Sequence, residues 1–219
     1  NTLKSMPVLD SEERISGPGI FDMKAGITQM IFALKALKAL KIDYPLSPVI
    51  LINSDEEIGS FESTGAIRKI AKIAKRAFIL EPPLGFEGKL KTSRKGIGKF
   101  TIKVTGKPAH AGLNPEMGVS AIVELSYHIQ QLFSLNDFEK GITVNVGMIQ
   151  GGSSANVIAE ESQAVIDVRV HNMDDARFIE NKILSLKPNH QGTSLKIEGG
   201  FGRPPMERTA RNQKLWTLA

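Results

Sequence analysis

Four acidic residues stand just beyond short apolar runs, a placement that suits metal binding or proton transfer. Asp22 lies in GPGIFDMK, Glu56 and Glu57 lie in VILINSDEEIGS, and Glu81 lies in AFILEPP. Two of the runs, 49–52 and 78–80, read as strands buried on both faces, as in a parallel sheet. Open α/β sheets bind ligands beyond the carboxyl ends of their strands. Carboxylates gathered at that edge suit hard or borderline divalent cations. The doubled Glu56-Glu57 suggests that one binds metal while its neighbour handles protons. Each acid also has a plainer role: Asp22 as a helix N-cap, the glutamates as solvated loop residues.

Such groups need elements to hold them. After Asp22, the residues Ile27, Met30, Ile31, Leu34 and Leu37 recur at helical spacing, and Pro45 and Pro48 close that region. A strand through Ile52, the Asp55-Glu56-Glu57 loop, a helix over 60–75 and a strand to Leu80 follow. This order predicts a parallel α/β layer up to about residue 90. The pattern then changes. KFTIKVT (99–105) alternates as a half-exposed strand does. Asn114-Pro115-Glu116 predicts a helix start, with Ile122, Leu125, Ile129, Leu132 and Phe133 as its apolar stripe. Strands over 142–149 and 163–170, a helix over 174–186 and a strand near 194–198 complete β-α-β-β-α-β, the ferredoxin-like order. The fold class is therefore α/β in two parts, 1–95 and 96–203. Residues 204–219 form a third stretch, which opens a helix from Arg211.

Composition narrows the function. The chain has 219 residues, room for one large or two modest domains, and an ordinary 41% hydrophobic content. It has no cysteine, which excludes disulfides, thiolate zinc sites and a cysteine nucleophile. The net charge is +5, but Lys35, Lys38, Lys41, Lys69, Lys72 and Lys75 read as solvated helix faces. No aromatic-rich basic stripe accompanies them, so no nucleic-acid partner is expected. No apolar run approaches the ~20 residues that span a bilayer. No secretory signal is visible, although the chain starts at Asn1, and both cytoplasmic and periplasmic addresses fit. There is no phosphate-binding GxxxxGK[ST] and no GxSxG nucleophile elbow.

GPGIFDMKAG, INSDEEIGS, LEPP, VTGKPAHAGLNPEMGVSAI, GGSSANVIAE and AVIDVRV resemble, in order and spacing, motifs of the co-catalytic zinc exopeptidases and deacylases. That family includes carboxypeptidase G, acetylornithine deacetylase, succinyl-diaminopimelate desuccinylase and peptidase T types. NSDEEIGSF and GRPPMERT look most like the glutamate carboxypeptidase branch. The resemblance implies a catalytic zinc-hydrolase domain at 1–95, an inserted dimerisation domain at 96–203, and a return to the catalytic domain at 204–219. It implies that Asp22 bridges two zinc ions and precedes a cis peptide to Met23. Glu56 then matches the general base, and Glu57 and Glu81 match one ligand of each zinc. Cobalt or manganese also suits such sites. A water shared by two cations would lose a proton to the base and attack the scissile carbonyl.

His110, in PAHAG, matches a histidine that crosses the dimer interface to stabilise the oxyanion. His128, His171 and His190 keep the ordinary structural reading. Asn156 in SSANVI matches a substrate-binding asparagine. Arg169 and Arg203 match positions that grip a substrate carboxylate, for which the guanidinium fork is suited; a surface ion pair is the alternative for Arg169. The family uses two further histidine ligands, one upstream of the bridging aspartate and one near the end of the catalytic domain. Residues 1–21 hold no histidine and none follows Arg203, so the chain is expected to be the middle of such an enzyme. The expected function is a metallocarboxypeptidase, homodimeric through its second domain, releasing a C-terminal amino acid such as glutamate from a small peptide. An N-acyl-amino-acid deacylase is the alternative. For the chain alone, a dimerisation module without catalysis is a second alternative.

Overall fold

A computed structural model describes residues 2–218, and the chain divides into two units, Asn1–Lys89 and Leu90–Ala219. The first unit holds a short helix α1 (Thr2–Ser5), strands β1 (Leu9–Asp10) and β2 (Ile15–Ser16), and helices α2 (Ala25–Ala39) and α3 (Thr64–Ile73). The stripe Ile27, Met30, Leu34 and Leu37 is half-buried on α2, as its spacing predicts, while Ile31 is exposed. α2 stops where Lys41 turns left-handed and the Ile42 N–H bonds back to Leu37.

The expected parallel strands are not formed. Among the described residues, β1 and β2 are the only paired strands of the first unit, antiparallel to each other, and an isolated antiparallel bridge joins Leu84 and Lys89. Residues 49–52 and 78–80 lie outside any strand, with Val49, Ile52, Phe78 and Ile79 exposed to between 64% and 75%. An apolar run becomes a strand only when a neighbour supplies its hydrogen bonds. Among the described residues, no strand of this unit pairs with either run.

The second unit matches its sequence pattern closely. Strands β3 (Gly96–Thr105), β4 (Thr143–Gly151), β5 (Glu161–Val170) and β6 (Ser194–Arg203) alternate with helices α4 (Ala121–Phe133) and α5 (Met173–Leu184), and α6 (Ala210–Leu218) ends the chain. The sheet order is β4-β5-β3-β6, antiparallel throughout, with Phe100 opposite Ile166 and Ile102 opposite Ala164. Alternation decides the layers. Phe100, Ile102, Val104, Ala164, Ile166, Val168 and Val170 are buried together with Leu125 and Leu132 of α4 and Ile179 and Ile183 of α5. Both helices therefore cover one face of the sheet. Among the described residues, no helix is long and apolar enough to cross a membrane.

One helix start differs from expectation. Pro115–Met117 is a single 3-10 turn, and Asn114 makes no side-chain cap. Val119 pairs with Lys107 across an isolated bridge, which holds the chain extended there. The helix can begin only afterwards, at Ala121, where the Ser120 hydroxyl accepts the Val123 N–H.

Candidate functional site

Asp22 sits in the tight turn Ile20–Lys24, where Asp22 and Met23 leave helical geometry and the peptide between them is cis. Gly19 at φ 68° lets the chain turn into this segment, and the Lys24 ammonium donates to the Pro18 carbonyl at 2.8 Å. Just beyond, Gly26 is buried. A Cβ there would lie 2.0 Å from the Leu80 carbonyl oxygen. Glycine thus admits the run ending in Glu81 against the first turn of α2, beside Asp22. Burial raises the Glu81 carboxyl above its ordinary range, and the charge and hydrogen bond of Asp22 raise it further, with Glu56 and Glu57 adding. Asp22 thus touches Glu81, and the charges of Glu56 and Glu57 are near enough to act on it.

Glu56 and Glu57 are carried by a loop tied down by a residue the sequence reading passed over. The Asp55 carboxylate is nearly buried and accepts the N–H groups of Glu62 and Ser63, both at 2.9 Å, and the Asn53 amide at 3.1 Å. Hydrogen bonds from Ser63, then Asn53 and Glu62, overcome burial and hold Asp55 well below the usual carboxylate range. Nothing in the local pattern marks it, because the backbone N–H groups it accepts lie seven and eight residues ahead.

The donor chemistry of this acidic edge suits a divalent cation, since like charges crowd Glu81. It does not amount to a finished metal centre. Among the described residues, no group of three or more His, Cys, Asp or Glu side chains is arranged to hold a metal ion. Residues 1–89 contain no histidine. The set fits part of a zinc site only.

In the second unit, His110 and Asn156 come together. Beyond Thr105 the β3–β5 ladder continues, slipped by one residue. His110 bridges Val157, and the Ala111 N–H donates to the Asn156 carbonyl at 3.0 Å. The N–H groups of Gly112 and Leu113 donate to His110 Nδ1 at 3.1 and 3.2 Å. The neutral ring then carries its proton on Nε2, ready to donate. Ser154 donates its hydroxyl to Asn156 Oδ1 at 2.6 Å, which reserves the amide NH2 for another acceptor.

Arg169 and Arg203 both register with Ile97, one on each side of β3. They stand at the opposite end of the strand from His110. Eight residues separate Ile97 from Thr105, roughly 26 Å at strand rise. Arg169 is already paired: Nε and Nη2 donate to the two Asp167 oxygens at 2.7 and 3.1 Å. The surface ion pair foreseen as an alternative is thus present. The hollows beside Phe178 and between 134–142 and the start of α5 contain none of these residues.

Residues 92–192 match the model of the peptidase dimerisation domain. Over 173 residues the chain is 32% identical to carboxypeptidase G2 of Pseudomonas sp., covering 79% of this chain and 42% of that protein. It is 31% identical to a probable carboxypeptidase of Arthroderma benhamiae, covering 87% of this chain and 44% of that protein. The chain thus spans less than half the length of these relatives. A tripeptidase structure from Staphylococcus aureus shares the fold at TM-score 0.69 and 20% identity, over 97% of this chain and 60% of that one. Residues 92–192 thus resemble the dimerisation domain of M20 peptidases, and the relatives matched over most of the chain are carboxypeptidases.

Proposed function

We propose that the protein of which this chain forms part is a metal-dependent hydrolase that cleaves an amide bond next to a free carboxylate. What supports the reading is the hydrogen bond of Asp22 to Glu81, with the charges of Glu56 and Glu57 acting on the same carboxyl. Asp22, Glu57 and Glu81 would hold two divalent cations, zinc first, together with histidines outside the acidic edge. When bound, the cations would polarise the amide carbonyl and acidify a water. Glu56 takes the proton and returns it to the leaving amine. His110 Nε2–H and the Asn156 NH2 donate to the carbonyl oxygen as it gains charge. Arg169 and Arg203 grip the substrate carboxylate, which requires Arg169 to exchange Asp167 for the ligand.

The substrate is a small peptide ending in an acidic residue such as glutamate, with N-acyl amino acids as the alternative class. The carboxypeptidase relatives favour the first. In this reading, 1–95 and 204–219 belong to the catalytic domain and 96–203 to the dimerisation domain. Two copies meet along the β4 edge and the outer face of α4, where Met148, Ile149, Ile122, Val123 and Tyr127 are exposed. The incomplete ligand set favours a second reading for this chain by itself, a dimerisation module without catalysis.

Bound metal measured by mass spectrometry separates the two, on this chain and on a form extended to the length of the relatives. About two zinc ions in the extended form support the hydrolase. No metal in either form reduces the acidic edge to a structural feature.

A further inference from the structure

The proposed chemistry uses Glu56 and Glu57 but leaves their neighbour Asp55 without a part. Asp55 is 9% exposed, and its carboxylate accepts the N–H groups of Glu62 and Ser63 and the Asn53 amide. The contacts to 62 and 63 close a ring over residues 55–63. Inside it, the Ser60 N–H donates to the Asp55 carbonyl at 2.7 Å and the Gly59 N–H to the Glu56 carbonyl at 2.8 Å. Gly59 at φ 107° and Ser60 at φ 56° supply the reversal. Asn53 reaches Ser63 Oγ as well, at 3.1 Å, and fastens the entry of the loop to its exit.

An ordinary N-cap sits immediately before its helix and accepts from the second or third residue of it. Asp55 instead reaches across the whole loop, and the segment it closes begins with the two glutamates. We propose that Asp55 is a positioning residue that sets the direction of Glu56 and Glu57 toward Glu81. The inference rests on the proposed roles of these two glutamates as base and metal ligand.

The test uses the full chain in isotope-labelled form, as wild type, Asp55→Ala and Asp55→Asn. Three readouts are compared: the side-chain carboxyl signals of Glu56 and Glu57, amide exchange at Gly59, Ser60, Glu62 and Ser63, and broadening by added Mn2+. Asp55→Ala should move both carboxyl signals and speed exchange at Gly59 and Ser60 about tenfold. It should also raise by about tenfold the Mn2+ needed to broaden Asp22 and Glu81. Asp55→Asn keeps one acceptor oxygen and should show smaller changes of the same kind. Signals of α2 and of the second unit should stay put. If exchange rises at Glu62 and Ser63 while both carboxyl signals stay unmoved, Asp55 is only a helix cap and the inference falls. Should Asp55→Ala unfold the first unit, the same comparison on Asp55→Asn decides. If Mn2+ leaves the wild type unchanged, the metal reading falls, and the carboxyl and exchange data still decide for or against Asp55.

Discussion

Glu124 is fully buried on α4 and can be removed with a calculable consequence. One of its oxygens accepts the Asn189 N–H at 2.7 Å and the Asn189 amide at 3.2 Å, with His128 Nε2 at 2.7 Å. The other accepts the His190 N–H at 2.9 Å, with His190 Nδ1 at 2.5 Å. Burial by itself would push the carboxyl up. The Asn189 N–H and the two histidine rings outweigh it and hold the group at about 2 instead of its ordinary 4.5. A depressed carboxyl stabilises the fold above its unfolded value and loses that contribution as pH falls through the folded one. The window therefore runs from 4.5 down to about 2. The shift is equivalent to about 3 kcal/mol at neutral pH. Glu124→Gln replaces one acceptor oxygen with a donor that faces other donors, so it should lose that amount near neutrality and little near pH 2. Urea unfolding followed by Trp216, the sole tryptophan and part of the second unit, measures this across the window. A wild-type to variant difference that stays constant with pH, or falls below about 1 kcal/mol at neutrality, would refute the clamp.

Gly26→Ala forces Cβ onto the Leu80 carbonyl and should cost about 1–3 kcal/mol in the first unit. It should also let the Glu81 carboxyl fall back toward its ordinary range, and carbon-13 titration that finds no such fall counts against the packing account. In the neutral His110 ring, nitrogen-15 spectra should find the proton on Nε2; a protonated Nδ1 would contradict the two backbone donors. Ile149→Lys puts a charge on the exposed β4 edge and should turn a dimer into monomers in sedimentation, with the second unit still folded.

How far the sequence could be read depended on where each interaction partner lies. The strand 99–105 was legible because its alternation faces helices contained in the same chain, and Phe100, Ile102 and Val104 are buried as that alternation requires. Residues 49–52 are apolar too, yet among the described residues no strand pairs with them, so the pattern is present and the strand is not. Asn114-Pro115 has the composition of a helix start, but the Lys107–Val119 bridge, a nonlocal contact, postpones the helix. The four candidate acids were visible as types beyond apolar runs. Asp55 and Glu124 were not, because what distinguishes them is the number of N–H groups that reach them from residues 62–63 and 189–190.

The second unit also constrains how a site could be assembled. His110 and Asn156 share one extension of the β3–β5 ladder, so any movement that carries one toward a ligand carries the other. Arg169 and Arg203 flank Ile97 at the other end of β3, roughly 26 Å away along the strand. A dipeptide spans at most ~7 Å, so one small substrate cannot touch both groups of a single chain. If both groups serve the same reaction, they meet only when two copies contribute. One copy would then supply the hydrogen-bond donors, and the other would supply the arginines. The match of residues 92–192 to a dimerisation domain is consistent with such an arrangement.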